Sequence, residues 1–206
     1  MNKIFQLLVL SLIMFFSCGK TSDKEYTQMA EENIKEGNTS EAILNYQKVL
    51  DEYPESKIIP KVLAEQASLY QENGNISEAI LNYQKIAEEY PESDLAPEAI
   101  VKQASLYHEN KVKNINRIES FETAANLFLT VSEKYPESEQ APSSLFMAGF
   151  IFANDIQDFT RAKAVYNMFL NKYPGDELAS SAKEELEYMG LTPEEILRKK
   201  TSQGSE

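Results

Sequence analysis

Apolar residues recur through most of the chain at the three- and four-residue spacings that place side chains on one face of an α-helix. Gly74 separates two such stripes, and Pro91 follows the second, so the pattern predicts two helices joined by a tight turn. Ser56 is predicted to cap the first helix, with Pro60 in its first turn. The stripes of this hairpin are Leu63, Ala67 and Tyr70 in the first helix and Ala79, Tyr83 and Ile86 in the second.

The hairpin is repeated along the sequence. The string EAILNYQK at residues 41–48 returns unchanged at residues 78–85, and YPES begins at Tyr53, Tyr90 and Tyr135. A period of 37 residues, stretched to 45 in the third unit, is typical of stacked supersecondary units. Because one hairpin cannot bury its own apolar stripes, we expect neighbouring hairpins to pack on each other.

These signals divide the chain into segments. We predict a signal segment over residues 1–17, a tether over 18–24, a repeat domain over 25–189, and a short helix with a frayed tail over 190–206. Thr192, Pro193 and Glu195 are typical of a helix start with a capping box, and the tail is predicted to begin at Thr201. The predicted repeats span residues 25–55, 56–92, 93–137 and 138–175, followed by an end helix over 177–188.

The beginning of the chain has the profile of an export signal. A short basic start precedes the apolar run Ile4–Phe16, which at 13 residues is shorter than the ~20 apolar residues that a membrane-spanning helix needs. Ser17, Cys18 and a polar stretch follow, and this arrangement resembles a bacterial lipoprotein signal, although Phe15 stands where that family usually has leucine. The resemblance implies lipid attachment at Cys18, whereas the alternative is a secreted protein with a free thiol.

The repeats resemble the tetratricopeptide repeat. Each unit has a small residue in its first helix, an alanine in its second, an aromatic residue four positions after that alanine, and a closing proline. The resemblance covers Asp23 to Pro174, with Asn33 departing from it. It implies an all-α fold: a right-handed α-solenoid of four TPR-type helical hairpins plus a C-terminal capping helix. The small residues are Ala30, Ala67, Ala104 and Gly149, and the alanines are Ala42, Ala79, Ala124 and Ala162.

In tetratricopeptide proteins the first helices line a concave groove that holds peptides or partner helices. This groove lacks the lysines and asparagines with which similar co-chaperones bind a C-terminal carboxylate, so that mode is not expected. Phe146 and Phe150 lie four apart on one face, and they form either an exposed apolar anchor or part of the core beneath the end helix and Tyr188. The resemblance places in the groove Thr27, Glu31, Ala64, Ser68, Gln71, Val101, Ser105, His108, Phe146 and Phe150.

A basic insert lengthens the third unit. The extra residues lie around Lys111 to Glu119 and include Lys111, Lys113 and Arg117 in a chain of formal charge −13. This segment is a second candidate surface for a partner. The alternative is a longer loop or a helix extension without a binding role.

Composition argues against most site chemistry. A single cysteine leaves no intramolecular disulfide or four-cysteine zinc site, and the charge of −13 disfavours nucleic acid as a partner. His108, the single histidine, has no triad partner near it in sequence and is expected to be a solvated helix residue. The seven glycines form no phosphate loop. We therefore expect no catalytic residues, no metal site, no cofactor, no small-molecule substrate, and no enzymatic activity.

The lipoprotein start and the spacing of the YPES turns resemble the BamD-like lipoproteins of outer-membrane β-barrel assembly and the repeat domain of YbgF cell-envelope coordinators. BamD-like proteins usually have five units, and this chain has four. The resemblance implies a non-catalytic scaffold, anchored through Cys18 in the outer membrane and facing the periplasm, with protein or peptide partners. The alternatives are a periplasmic protein that captures extended polypeptides or cell-wall material, and a YbgF-like envelope or division coordinator.

Overall fold

The computed structural model describes residues 20–203. The predicted signal segment, Cys18 and the last three residues lie outside this range. Every regular element within residues 20–203 is helical, which confirms the all-α prediction. The chain divides into two compact units, Met1–Val62 and Leu63–Glu206, whose boundary falls inside a helix. The helices are α1 Asp23–Lys35, α2 Thr39–Glu52, α3 Ile59–Glu72, α4 Ile76–Glu89, α5 Ala96–His108, α6 Arg117–Lys134, α7 Gln140–Phe150, the π segment Ile151–Ile156, α8 Phe159–Lys172, α9 Ala179–Tyr188 and α10 Pro193–Gln203.

The first unit contains the hairpin of α1 and α2. Ser22 and Glu25 form a capping box at the start of α1, so the last two residues of the predicted tether belong to this helix. Gly37, with φ of +78°, makes the turn that a side chain would strain. The buried side of the hairpin consists of Ala30, Ala42, Tyr46 and Val49.

The start of α3 corrects one prediction. Ser56 does not cap this helix, because α3 begins three residues later, at Ile59. Instead the Ser56 carbonyl accepts a hydrogen bond from the Ile59 amide at 3.2 Å, which closes a turn before the helix. Pro60 does lie in the first turn of α3, as predicted.

In the second unit, each helix from α4 to α9 packs against the next one along the chain. Gly74, with φ of +75°, turns α3 into α4, and α4 ends at Glu89 just before Pro91, as predicted. Asn82 donates a hydrogen bond to Gln66 at 2.8 Å and joins the two helices. The main core runs from α5 to α9 and is centred on Phe121, Phe128, Leu145, Phe152, Tyr166 and Phe169.

The fourth hairpin contains the one π-helical segment of residues 20–203. In the first two hairpins the small residue of the first helix and the alanine of the second are twelve positions apart, but Gly149 and Ala162 are thirteen apart. A π turn takes up one residue more than an α turn, so the π segment absorbs the insertion. Gln157 then adopts the left-handed conformation, with φ of 61°, that glycine has in the first two turns.

The C-terminal end differs from prediction in two places. The end helix α9 begins at Ala179, two residues later than predicted, and it ends before Gly190, which has φ of +78°. Thr192 and Glu195 form the predicted capping box, with backbone-to-side-chain distances of 2.8 and 3.3 Å. The segment from Thr201 to Gln203, predicted to be frayed, continues α10.

Candidate partner-binding cleft

Most of the predicted groove residues of the second unit are either apolar or hydrogen-bonded within their own helix. Ser68 donates a hydrogen bond to the Ala64 carbonyl at 3.2 Å, and Ser105 donates one to the Val101 carbonyl at 2.9 Å. These hydroxyls are therefore directed to their own helices. Gln71 is half-buried, as are the four residues just named.

The two predicted groove residues of the first unit, Thr27 and Glu31, contact other residues of the same unit. Thr27 donates a hydrogen bond to the Asp23 carbonyl one turn earlier, at 2.8 Å. Glu31 is exposed and lies 3.7 Å from the Lys61 ammonium group. An exposed pair of this kind contributes little to stability.

His108 is not the solvated residue that we expected. Its Nε2 atom lies 2.9 Å from Oδ2 of Asp155 in the π segment, and its side chain is 26% exposed. The imidazole also packs against Phe121, with ring centroids 5.7 Å apart. No local sequence pattern predicts this pair, because the two residues are 47 positions apart. His108 therefore joins α5 to the π segment.

Phe146 and Phe150 are each half-buried and line a cleft of about 770 Å³. One side of the Phe146 ring belongs to the core, with centroid distances of 5.4 Å to Tyr166 and 6.0 Å to Phe169. The Phe146 ring therefore packs against α8, while part of each side chain faces the cleft. The rest of the cleft wall comes from the π segment and the turn after it, from the start of α8, and from α9, α10 and the loop between them.

The rim of the cleft is charged. Glu184 and Glu185 of α9 line it, and Lys200 of α10 lies 2.8 Å from the Glu184 carboxylate. The hydrogen bond to Glu184 and its negative charge raise the pKa of the Lys200 ammonium group. Lys199 and Lys200 also flank the Tyr188 ring, with Nζ atoms 5.2 and 4.9 Å from its centroid. An apolar floor thus lies beside an acidic edge.

Behind the cleft, Gly149 allows a close approach of α7 and α8. A Cβ atom at this position would lie 2.9 Å from Cε1 of Tyr166, so alanine would not fit without movement. The Tyr166 hydroxyl is buried and finds no hydrogen-bond partner within residues 20–203. Burial raises the pKa of the Tyr166 phenol, with a further contribution from the charge of Glu185.

The second hairpin explains why Tyr166 has no partner. Tyr83 occupies the equivalent position there, and its hydroxyl lies 3.4 Å from the Ser68 hydroxyl. Phe150 stands where the second hairpin has Ser68 and the third has Ser105. A phenyl ring cannot accept that bond, so the fourth hairpin gains an apolar side chain in the cleft and leaves a buried hydroxyl unsatisfied.

A charged network stiffens the turn between the π segment and α8. Arg161 donates to both oxygens of Glu122 at 2.6 Å and to Asp158 at 2.7 Å. Its guanidinium group lies 4.3 Å from the Phe152 ring centroid. The hydrogen bond from Arg161 lowers the pKa of the Glu122 carboxyl. Asp158 also caps α8 by accepting a hydrogen bond from the Arg161 amide at 3.0 Å.

The basic insert is in large part a longer loop, followed by an added first turn of α6. Lys111 pairs with Glu109, and the Arg117 guanidinium group lies 5.0 Å from the Phe121 ring centroid. Asn116 caps α6 by accepting a hydrogen bond from the Glu119 amide at 2.9 Å. Two of the three cations are therefore engaged within the chain, and Lys113 is exposed.

Residues 20–203 also bear on metal binding and membrane insertion. This part of the chain contains no group of three or more His, Cys, Asp or Glu side chains placed to hold a metal ion. None of its helices combines the length and apolar character required to cross a membrane.

Comparison with known proteins identifies three of the four hairpins as members of a known repeat family. The tetratricopeptide repeat model matches residues 28–56, 65–93 and 143–176, which correspond to the first, second and fourth predicted repeats. A tetratricopeptide repeat protein from Parabacteroides merdae has a similar structure, with a TM-score of 0.53 and 18% identity over 87% of this chain and 63% of that one. The chain therefore spans less than two thirds of the length of that relative.

The structure of MamA protein is also similar, with a TM-score of 0.51 and 16% identity over 80% of this chain and 84% of that one. A search of curated protein sequences found no match. At these identities the structural likeness shows the fold alone. This chain carries tetratricopeptide repeats, and its helical hairpins have the fold of tetratricopeptide proteins.

Proposed function

We propose that this chain is a non-catalytic scaffold that binds protein partners in the cell envelope, where lipid attached at Cys18 holds it at a membrane. Tetratricopeptide repeats are typical of protein-binding scaffolds, and no enzyme family is indicated. The sequence features that support the envelope are the apolar run Ile4–Phe16 and the cysteine directly after it.

The observation that carries this proposal is the exposed part of Phe146 and Phe150 in a cleft between helices. Aromatic side chains that are partly exposed in a concave site are the usual anchors of protein–protein interfaces. The cleft lies at one end of the helix stack, and its walls are helices, so the face of a partner helix is a suitable occupant.

The same observation favours a fixed partner over general capture of extended polypeptides. A capture protein needs a similar surface along each repeat, whereas here the aromatic residues are concentrated in the fourth hairpin and serine occupies the equivalent position in the second and third. We therefore favour a subunit of an envelope complex, on the pattern of the BamD-like lipoproteins, facing the periplasm from the outer membrane.

Lipid attachment is tested by labelling cells with an alkyne fatty acid and comparing the wild type with Cys18→Ser. We expect label on the wild-type chain and none on the variant, and we expect the variant to leave the membrane fraction. Label that persists on Cys18→Ser would contradict the anchor.

Partner binding is tested by crosslinking in native envelopes, followed by recovery of the tagged chain. We compare the wild type with Phe150→Ser, which installs the residue of the second and third hairpins, and with Leu81→Ser, a matched exposed apolar position on α4. We expect barrel-assembly subunits with the wild type and Leu81→Ser, and their loss with Phe150→Ser. Absence of these subunits from the wild-type sample would overturn the proposed complex.

A further inference from the structure

The last helix, α10, occupies one side of the cleft but is weakly attached to it. Ile196 and Lys200 line the cleft, whereas Leu197 is 65% exposed, and no described side chain of α10 is buried. The helix is held to α9 by two ion pairs, Lys199 with Glu187 at 3.2 Å and Lys200 with Glu184 at 2.8 Å. Lys199 also donates a hydrogen bond to the Glu187 carbonyl at 2.9 Å, and both lysines contact the Tyr188 ring at the exposed edge of the cleft. Water and salt screen exposed pairs of this kind, so they hold the helix only weakly.

With α10 in place the cleft still has uncovered apolar surface. Phe159, at the start of α8, is 41% exposed, and Phe146 and Phe150 are only half-buried. A single apolar residue of α10, Ile196, reaches this floor. The site can therefore accept a helix with a larger apolar face than the one that it now holds.

The charges of the cleft specify what kind of helix would bind. Glu184 and Glu187 are each paired with a lysine of α10, so the chain itself supplies an example of a basic helix against this rim. Glu185 also lines the cleft and is half-buried, and it makes no ion pair within residues 20–203. A lysine or arginine of a partner could therefore form an ion pair with Glu185, as the two lysines of α10 do with Glu184 and Glu187.

We infer that the cleft is the docking site for a basic amphipathic helix of a partner protein, and that α10 is an internal occupant which this helix displaces. The inference rests on the proposed scaffold function and names the chemistry of the partner at the same cleft. The partner helix places apolar side chains on Phe146, Phe150 and Phe159, and lysine or arginine against Glu184 and Glu185.

Competition between the two helices has a measurable consequence. A ligand that binds only when α10 has left shows an affinity reduced by the fraction of molecules in the open state. Loosening α10 should therefore tighten binding of a second helix without any new contact. The effect is largest when α10 occupies the cleft in most molecules, and it disappears when α10 has already left the cleft in most of them.

The probe is a fluorescent synthetic peptide with the sequence of residues 191–203, titrated into the full-length chain. The loosened variant is Lys199→Ala, Lys200→Ala, and a matched control with the same charge change is Lys24→Ala, Lys35→Ala, two exposed lysines of α1. We expect the loosened variant to bind the peptide ~10-fold more tightly than the wild type and the control. Equal affinity for all three proteins would overturn the inference.

Charge reversal tests whether the peptide occupies the cleft itself. Adding Glu184→Lys to the loosened variant should abolish binding of the natural peptide, and a peptide with Lys200→Glu should restore it. A peptide affinity that is unchanged by both substitutions would contradict the assignment of the site. Formation of a dimer by the loosened variant, measured by light scattering, would show that a second copy of α10 is the occupant and would also overturn the inference.

These results can be separated from the envelope experiment. If the loosened variant does not bind the peptide more tightly while envelope subunits still crosslink to the wild type, the assignment of a basic helix to the cleft is wrong. The scaffold function then stands. If the peptide behaves as expected and no envelope subunit is recovered, the scaffold function in that complex is wrong and the chemistry of the cleft stands.

Discussion

The second and fourth hairpins are built on one pattern but differ at the positions that border the cleft. In the second, Ser68 lies against the Tyr83 hydroxyl, and Gly74 makes the turn. In the fourth, Phe150 replaces the serine and Gln157 takes the left-handed turn conformation. Each of these features is less favourable for folding than its counterpart in the second hairpin.

The difference indicates which residues serve stability and which serve the cleft. The unsatisfied Tyr166 hydroxyl and the π segment both lie within the hairpin that carries Phe146 and Phe150. Left-handed turn residues other than glycine also occur in the third hairpin, at Asn110 and Asn114. Departures from a repeat pattern that do not improve packing are expected where function requires them. Four predictions test this comparison, beginning with the largest expected effect.

Gly149→Val should be the most damaging of these changes. The added methyl groups would enter the space of the buried Tyr166 ring, to which even a Cβ atom would be 2.9 Å away. We expect a loss of about 3 kcal/mol in the free energy of unfolding, measured by urea denaturation. Ala164→Val, on the exposed side of α8, is the control and should change stability by less than about 0.5 kcal/mol. Equal losses would contradict the close approach.

Arg161→Met should lower stability by about 1 kcal/mol at neutral pH, because the Glu122 carboxylate loses a charged hydrogen-bond donor and solvent screening reduces the effect. Arg161 lowers the pKa of Glu122 from its ordinary value of 4.5, so this part of the stability is present above that value and is lost as the pH falls through the lowered pKa.

The difference in stability between the wild type and Arg161→Met should therefore shrink between neutral pH and about pH 3. Thermal unfolding at several pH values measures it. A difference that is constant over this range would show that the Glu122 pair contributes nothing to folding.

Removing one hydroxyl should have opposite effects in the two hairpins. Tyr166→Phe deletes a buried hydroxyl that has no partner in the described part of the chain, so we expect a gain of about 1 kcal/mol. Tyr83→Phe deletes a hydroxyl that lies beside Ser68, so we expect a loss of about 0.5 kcal/mol. Urea denaturation of the two variants provides the test, and a loss in both would mean that Tyr166 has a partner after all.

The turn substitutions should give the smallest effects. Gln157→Gly relieves a left-handed conformation at φ of 61° and should stabilise the chain by about 0.5–1 kcal/mol. Gly74→Ala introduces that strain at φ of +75° and should destabilise it by a similar amount. Both are measured by thermal unfolding, and effects of the same sign would contradict the comparison.

Much of the fold follows from local signals. Gly74, Pro91 and Gly190 interrupt helices because of backbone geometry, and Thr192 with Glu195 forms a capping box whatever surrounds it. Signals of this kind act over a few residues, so the sequence alone predicts them. The aromatic pair at Phe146 and Phe150 was also visible from helical spacing.

Other features depend on contacts between distant residues. The His108–Asp155 pair and the position of α10 against α9 come from tertiary packing, which no local pattern encodes. The π segment did leave a signal, since Gly149 and Ala162 are one residue further apart than their counterparts. Ser22 and Glu25 likewise carry the pattern of a capping box, and that pattern would have ended the predicted tether earlier.

The central claim is that the chain binds its partner through the cleft of the fourth hairpin. The most direct test places the photo-crosslinking amino acid benzoylphenylalanine at position 150 and, separately, at position 81, in cells that carry the wild-type partner set. We predict a defined adduct with one envelope protein at position 150 and none at position 81. Adducts of equal yield at both positions, or an adduct at position 81 alone, would contradict the claim.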